Sequence, residues 1–401
     1  MTRLSLLLLL FGFAGPDLQV VAKHGKGVRA TIDGLPVLIL KGTAADRGRD
    51  HGFLCAREIL QFLDAFVPVV KARKSGDWDK DVVPVARRFV WPKRYEDEMA
   101  AMIVGIREAL PDAKARTLKT LGREITIDDL KVMNSIADLF GMGCSSFSAW
   151  GDLTEDGQVM TGRNGDYATF PVPFSFCIVA LQPAEKEIKP TFSVGAMGLV
   201  ASGTVMSGDG VFAAVHDESG LPREKNAAIQ PRILSVQSAV ESARADHAVE
   251  DIAQALRRSP VAVGNNIHVS SAETTPAILE WDGNAKEQGV TVRSVKPEEF
   301  RTAIVCTNHY RARTERNAGC GRYATLSEAL RRAASEKHKL DLAAAQQMMD
   351  AVGPNGATMT YLSVIAFPKQ RRMVVALATK PGVSATKGRW TTVDWDAVFK
   401  N

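Results

Sequence analysis

Hydrophobic periodicity changes repeatedly along this 401-residue chain, and the order of those changes restricts the fold more than any single motif. Val28–Ile32 and Pro36–Leu40 flank Asp33-Gly34, a hairpin signal. Helical spacing follows over Ala45–Lys71, with Leu54, Ile59, Leu60, Leu63 and Phe66 on one side. Arg94–Leu110 is a second helix, stopped near Pro111, and Ile127–Phe140 a third, ended by Gly141 and Gly143. At Cys144 the pattern switches to strands: Phe147–Leu153, Gln158–Arg163, Phe174–Leu181, Thr191–Met206 broken by glycines, and Val211–Val215. Helices are expected at Arg232–Ala243 and Ala248–Arg258. Strands return at Ile267–Ser271, Ala277–Trp281, Val290–Val292 and Ala303–Thr307. Helices at Tyr323–Ala334 and Leu342–Val352 precede paired strands at Met359–Phe367 and Arg372–Ala378. Meanders alternating with helix pairs predict an α+β fold of antiparallel sheets covered by helices, and the lack of regular βαβ alternation argues against a dinucleotide-binding fold.

The N-terminus carries a basic start at Arg3, an apolar run over Leu4–Phe11 and small residues at its exit. This reads as a signal for export, cleaved after Ala14 or Ala22, so that residues 1–22 form the leader. The run is too short to span a bilayer comfortably, which takes about 20 residues, and no later segment qualifies; stable membrane insertion is not expected. A secreted, periplasmic or lumenal protein follows. The net charge of +5 is small for this length and the basic clusters are short, so no nucleic-acid partner is expected. Five cysteines, at 55, 144, 177, 306 and 320, leave at least one thiol unpaired. No CxxC or HxxxH spacing occurs, so neither a metal nor another cofactor is expected.

The chemistry concentrates at Gly143-Cys144-Ser145-Ser146-Phe147, followed by Gly162-Arg163-Asn164-Gly165-Asp166. A thiol stands directly behind a glycine, and a hairpin returns a cation and a carboxylate toward it. Cleavage between Gly143 and Cys144 would free an α-amine with an intrinsic pKa of about 7.7–8.0, a base on the nucleophile's own residue. Ser145 and Ser146 lack the preceding glycine.

These motifs resemble the acyl-coenzyme A:6-aminopenicillanic acid acyltransferase-like family of N-terminal-nucleophile (Ntn) hydrolases. Bile salt hydrolase, penicillin V acylase and acid ceramidase are its more distant relatives. Further patches carry the likeness: Gly42 to Gly52, Gly264-Asn265-Asn266-Ile267-His268-Val269 leading to Glu280, Thr307-Asn308-His309-Tyr310, and Thr360-Tyr361-Leu362-Ser363-Val364-Ile365. The resemblance implies a four-layer αββα sandwich and a precursor that cuts itself at Gly143–Cys144. A helical α subunit (23–143) and a β subunit (144–401) of that precursor would form one compact domain. It also implies hydrolysis or transfer of small-molecule N-acyl groups. Cys144 is then the nucleophile, its thiolate favoured by positive charge. Arg163 orients the thiol, Asp166 holds the α-amine and both face it; Asn266 donates to the oxyanion, with Asn265 as the register alternative. His216 stands where the relatives carry asparagine or tyrosine, and its backbone N–H would complete the oxyanion hole. Arg322 is similar to a second active-site arginine of the bile-acid branch.

Hydrolysis and acyl transfer share an acyl-Cys144 intermediate, and export favours hydrolysis because coenzyme A thioesters are mainly cytosolic. A papain-like protease would instead need a catalytic histidine with an Asn or Asp orienter and no self-cleavage; His309 is read as a structural histidine at a strand end, and a non-catalytic binding protein of the same fold is the remaining alternative. Cys55 and Cys177 are expected in the core, and His51 on the surface or in packing.

Overall fold

The computed structural model describes residues 18–74, 76–139, 141–169, 175–218, 229–259, 261, 263–282, 289–313 and 319–399. The apolar run at 4–11 and Phe140 lie outside them, as does the expected strand start at Phe174. The chain opens with β1 (Leu18–His24), β2 (Gly27–Ile32) and β3 (Leu35–Gly42). Helices α1 (Ala44–Leu54), α2 (Ala56–Lys74), α3 (Val83–Arg87) and α4 (Lys93–Ala109) follow. A short pair, β4 (Thr117–Leu118) and β5 (Arg123–Glu124), leads to α5 (Ile127–Asn134) and α6 (Ile136–Leu139). Then come β6 (Gly143–Ala149), β7 (Met160–Ala168), β8 (Phe176–Pro183), β9 (Thr191–Ala196), β10 (Thr204–Ser207) and β11 (Phe212–Asp217). Helices α7 (Arg232–Ser242) and α8 (Ala248–Arg257) precede β12 (Asn265–Ser270), β13 (Ala277–Trp281), β14 (Val290–Arg293) and β15 (Ala303–Cys306). The chain ends with α9 (Gly321–Ser335), α10 (Leu342–Ala351), β16 (Thr358–Phe367), β17 (Arg372–Leu377), β18 (Trp390–Asp394) and α11 (Trp395–Phe399).

Two large sheets result. One has the order β1-β2-β3-β8-β9-β10-β11-β12-β13-β14, the other β15-β6-β7-β16-β17-β18. All their neighbours pair antiparallel except β3 with β8, which run parallel. Period two along the strands sorts side chains into layers. In the large sheet Val37, Ile39, Ile178, Ala180, Phe212 and Ala214 face Leu362, Val364, Ala366, Met373 and Val375 of the smaller one. Their sequence neighbours point the other way. Leu38, Leu40 and Val179 meet α2, α4 and α5, and Ala213, Val215 and Ile267 meet α7 and α8. Behind the smaller sheet, Phe147, Ile365 and Val374 meet α9 and α10. Strands covered on both faces carry apolar residues at consecutive positions, as Val37-Leu38-Ile39-Leu40 does. This is the four-layer αββα sandwich that the resemblance implies.

Three details depart from the expected elements. The helix expected over Ala45–Lys71 is broken at Cys55, where the Arg29 guanidinium takes the Leu54 carbonyl at 2.9 Å and reaches Glu58 at 2.6 Å. A further strand, β1, precedes the expected hairpin, so that the segment before Gly143 supplies β1–β3 of the large sheet as well as helices. Ala22 lies inside β1, opposite Arg29, so a cut after it would remove most of this edge strand.

Helices α1 and α4 touch through small residues. A Cβ at Gly48 would lie 2.0 Å from the Glu98 carbonyl oxygen, one at Gly52 2.0 Å from that of Met102, and one at Gly105 2.0 Å from that of Arg49. Gly52→Ala should therefore push the helices apart and destabilise the fold by about 1–3 kcal/mol, read as a lower urea midpoint with the m-value kept. An unchanged midpoint would show that the contact is not tight.

Candidate active site

Strand β6 begins at Gly143, so the Gly143–Cys144 peptide is its first link. Across β7 the register is Gly143 with Asp166, Cys144 with Gly165, and Ser146 with Arg163. Cys144 and Arg163 face the space between the sheets. The Arg163 Nη2 lies 3.6 Å from the Cys144 Sγ and donates to the Val215 carbonyl at 3.1 Å. The guanidinium lies over the bare Cα of Gly165, where a Cβ would come within 2.3 Å of Nη1.

Asp166 is three residues farther along a continuous strand and so points to the opposite face. The expectation that both residues face the thiol is corrected here. The Asp166 Oδ1 accepts from Thr360 Oγ1 at 2.7 Å, and Oδ2 pairs with Arg322 Nη1 at 3.1 Å. Its position against Gly143 is close: a Cβ on that glycine would be 3.3 Å from the Asp166 Cβ. Arg322, near the start of α9, also donates to the Cys144 carbonyl at 2.7 Å and to Ser145 Oγ at 3.1 Å. Gly143, Cys144, Arg163, Asp166 and Arg322 thus converge on one peptide.

The residue missing from the sequence-based set is Asn308. Its Oδ1 accepts from the Cys144 backbone N–H at 2.8 Å and from Arg322 Nη2 at 2.8 Å. Its Nδ2 donates to the carbonyls of Met142 at 3.0 Å and Asp217 at 2.7 Å. Its signal in the sequence is the Thr307-Asn308-His309-Tyr310 patch, where it stands beside a histidine. Asp217 adds a carboxylate that accepts from the Met142 N–H and pairs with the buried Arg232.

The other expected donors are engaged elsewhere in the intact chain. Asn266 gives Nδ2 to the Thr307 carbonyl at 3.2 Å. Asn265 bonds Arg232 through Oδ1 and the Val263 carbonyl through Nδ2. The buried His216 pairs in register with Asn266, and its Nδ1 lies 3.2 Å from the Ala214 carbonyl. Burial first, then the Arg163 charge, holds His216 well below the usual histidine range and therefore neutral. His309 is half-buried and its pKa is lowered by burial and by Arg311; it makes no hydrogen bond to Cys144. His51 is fully buried: burial lowers it to about 4, and its Nε2 accepts from the Gly198 N–H at 2.8 Å. All five cysteines are free thiols.

Cys144 lies on the wall of a cavity of about 120 Å³. Arg163 and Asp217 share its polar end, while Phe62, Phe66, Met133, Ile136, Phe176 and Leu199 make the rest apolar. Burial raises the Cys144 thiol above its ordinary value, outweighing the opposing Arg163 charge, so the expected gain in thiolate is not met in the intact chain. The arrangement presents a neutral thiol, a cation beside it and a largely apolar cavity.

Burial also raises the Asp166 carboxyl to about 6, against its bond from Thr360 and the charges of Arg322 and Arg163. A carboxyl whose folded pKa exceeds its unfolded value binds its proton better when folded, so its contribution to stability declines as pH rises from about 4 to about 6. Urea unfolding of the Cys144→Ala chain should show this decline, and adding Asp166→Asn should remove up to ~3 kcal/mol of it. Equal pH dependence in both proteins would place the raised pKa elsewhere.

No protein-family profile matches the chain. A protein of Archaeoglobus fulgidus described as uncharacterized is 23% identical over 327 residues, which make up 74% of this chain and 50% of that one. The chain therefore spans about half the length of the curated relative it matches. Among solved structures, it is similar to an N-acylethanolamine-hydrolyzing acid amidase ortholog of Caenorhabditis elegans (16% identity, TM-score 0.39, 56% of this chain and 93% of that one). It is also similar to the conjugated bile acid hydrolase of Clostridium perfringens (12%, 0.41, 63% and 92%). A third is the penicillin V acylase of Agrobacterium tumefaciens (14%, 0.42, 64% and 89%).

Proposed function

We propose that this chain is a cysteine Ntn amidase that cuts itself between Gly143 and Cys144 and then hydrolyses linear N-acyl amides. The observation that carries the reading is the placement of Cys144. Its Sγ meets a buried guanidinium on the wall of an apolar cavity, while its own peptide N–H and carbonyl are held by Asn308 and Arg322.

In self-cleavage the thiol adds to the Gly143 carbonyl and its proton passes to the Cys144 nitrogen. The C–N bond breaks, leaving a Gly143 thioester and a free α-amine, and water then releases the Gly143 carboxylate. The parallel β3–β8 pairing and the shared core would keep the two chains together. In turnover the α-amine, held by Asp166 and Asn308, takes the Cys144 proton as sulfur attacks the acyl carbonyl. It returns that proton to the leaving amine, and water splits the acyl-thioester into acid and thiol. Arg163 stabilises the sulfur and the nearby oxyanion. Asn266 would join that task after leaving the Thr307 carbonyl; the expected His216 backbone N–H instead faces β12, opposite Asn266, within the sheet. The apolar cavity favours an apolar acyl group over a charged one. Export belongs to the same reading and favours water as the acyl acceptor.

Intact mass of the purified protein tests the first step. The wild type should give two chains, the second beginning at Cys144, and Cys144→Ala one. Two chains of unchanged size in the variant would remove Cys144 as the processing nucleophile. The base is tested by His309→Gln, which should process itself and keep kcat within about 10-fold on an N-acyl substrate. A loss of ~10³-fold in soluble, correctly processed enzyme is the size expected for a general base and would restore a Cys–His mechanism.

A further inference from the structure

A second cavity, of about 10 Å³, adjoins the one beside Cys144; Gly195, Ala196, Leu199 and Ser202 line both. Leu40, Val179 and Leu181 close its sides. Three polar side chains line it in addition to Ser202: Glu98, Ser193 and Gln237. Two of the four donate their hydroxyls to strand carbonyls, Ser202 to Val194 at 2.5 Å and Ser193 to Val179 at 3.5 Å. Gln237 is used on both sides: Oε1 accepts from the Ser202 N–H at 2.9 Å and Nε2 donates to Glu241 at 3.1 Å.

Glu98 differs. It is 1% exposed, and its Oε2 pairs with Arg47 at 3.1 Å. Its Oε1 is buried and has no hydrogen-bond partner. A carboxylate oxygen without a donor is costly in such a site, and the space beside it matches one small polar group. Arg47 is shared between Glu98 and the partly exposed Glu185, and Arg94 pairs with Glu241. A space of about 10 Å³ admits one neutral donor group but not a hydrated cation.

We propose that Glu98 Oε1 is the far end of the acyl site and accepts a hydrogen bond from a hydroxyl at the distal end of an otherwise apolar acyl chain. The inference rests on the reading of the Cys144 cavity as the acyl site. With the acyl carbonyl at Cys144 and Arg163, a chain of the right length passes the shared residues and ends at Glu98.

The test is equilibrium binding to the full-length protein at pH about 8, where a buried carboxyl raised by desolvation is more fully ionised. The probes are straight-chain fatty acids of increasing length, each ending in a methyl, a hydroxyl or a methyl ether. The ether accepts a hydrogen bond but cannot donate one. At one chain length the hydroxyl should bind about 10-fold more tightly than the ether, equal to ~1.4 kcal/mol. Glu98→Gln should abolish the preference, because its carbonyl turns to Arg47 and its amide N–H faces the cavity. Ser193→Val, which fills the cavity and leaves the Glu98–Arg47 pair intact, should abolish it too and covers the case in which Glu98→Gln fails to fold. Binding of all lengths without a hydroxyl preference overturns the inference and leaves the acyl-site reading standing, as does a preference that survives either folded variant. Failure of every acid to bind overturns both.

Discussion

The carboxamide of Asn308 has all of its hydrogen-bonding capacity in use. It accepts from the Cys144 N–H and from Arg322, and donates to the carbonyls of Met142 and Asp217. These partners come from the start of β6, the end of β11 and the first turn of α9, which belong to the smaller sheet, the large sheet and the helical layer. A buried amide deprived of one partner costs about 1–3 kcal/mol, so the Gly143–Cys144 peptide cannot shift without disturbing all three layers. Asn308 is itself fixed from behind. The buried Glu280 carboxylate accepts the backbone N–H groups of Arg311, Ala312 and Arg313 at 2.7, 2.9 and 3.0 Å. The loop after β15 is thereby tied to β13, and its asparagine is held over the peptide.

The space between the sheets changes character toward this peptide. Far from it, the facing residues are Val, Ile, Phe, Met and Ala. Nearer, the same faces of β6, β7 and β12 carry Ser146, Ser148, Thr161, His268 and Ser270, all buried. His268 lies 2.7 Å from both Ser146 Oγ and Ser148 Oγ; Ser148 continues to Thr161, and Thr161 to Ser270. Burial lowers His268 to about 3, so the ring is neutral, donating from one nitrogen and accepting at the other. Rotatable hydroxyls suit either tautomer. The network joins the two sheets through directional bonds where large apolar side chains are absent, and it sets the sheet separation at which Arg163 of one reaches Val215 of the other.

Much of the fold is legible because periodicity is a local property. The hairpin at Asp33-Gly34 and the change to strands at the cysteine follow from residue order alone, and in the structure β2 and β3 meet at Ile32 and Leu35. The break at Cys55 was not legible, since it depends on an arginine from β2 reaching the Leu54 carbonyl. The same division holds at the site. Cys144, Arg163 and Arg322 could be read from motifs. The face taken by Asp166 depends on β7 running unbroken to Ala168, and a strand read as ending at Arg163 placed it wrongly. Asn308 is less legible than His309, because what an asparagine does depends on partners that are distant in sequence.

In the proposed chemistry, Arg163 would favour a transition state over the resting protein. One of its terminal nitrogens meets the Cys144 sulfur and the Val215 carbonyl, while Nε and Nη1 are buried without a hydrogen-bond partner. The imidazole near it is neutral, and the carboxylate three residues along β7 lies on the other face of the sheet. In the resting protein the thiol is protonated by virtue of its burial, so the guanidinium meets no charge on the sulfur, although the Asp217 carboxylate lines the same cavity. Negative charge is added at the sulfur or at an attacked carbonyl only as the sulfur loses its proton or the carbonyl becomes an oxyanion. The attraction is therefore strongest in the charged, transient species, which is the condition for lowering a barrier instead of merely tightening binding. Gly165 permits this by leaving its Cα bare beneath the guanidinium, and the glycine in the Arg-Asn-Gly-Asp segment thereby acquires a physical role in the proposed chemistry.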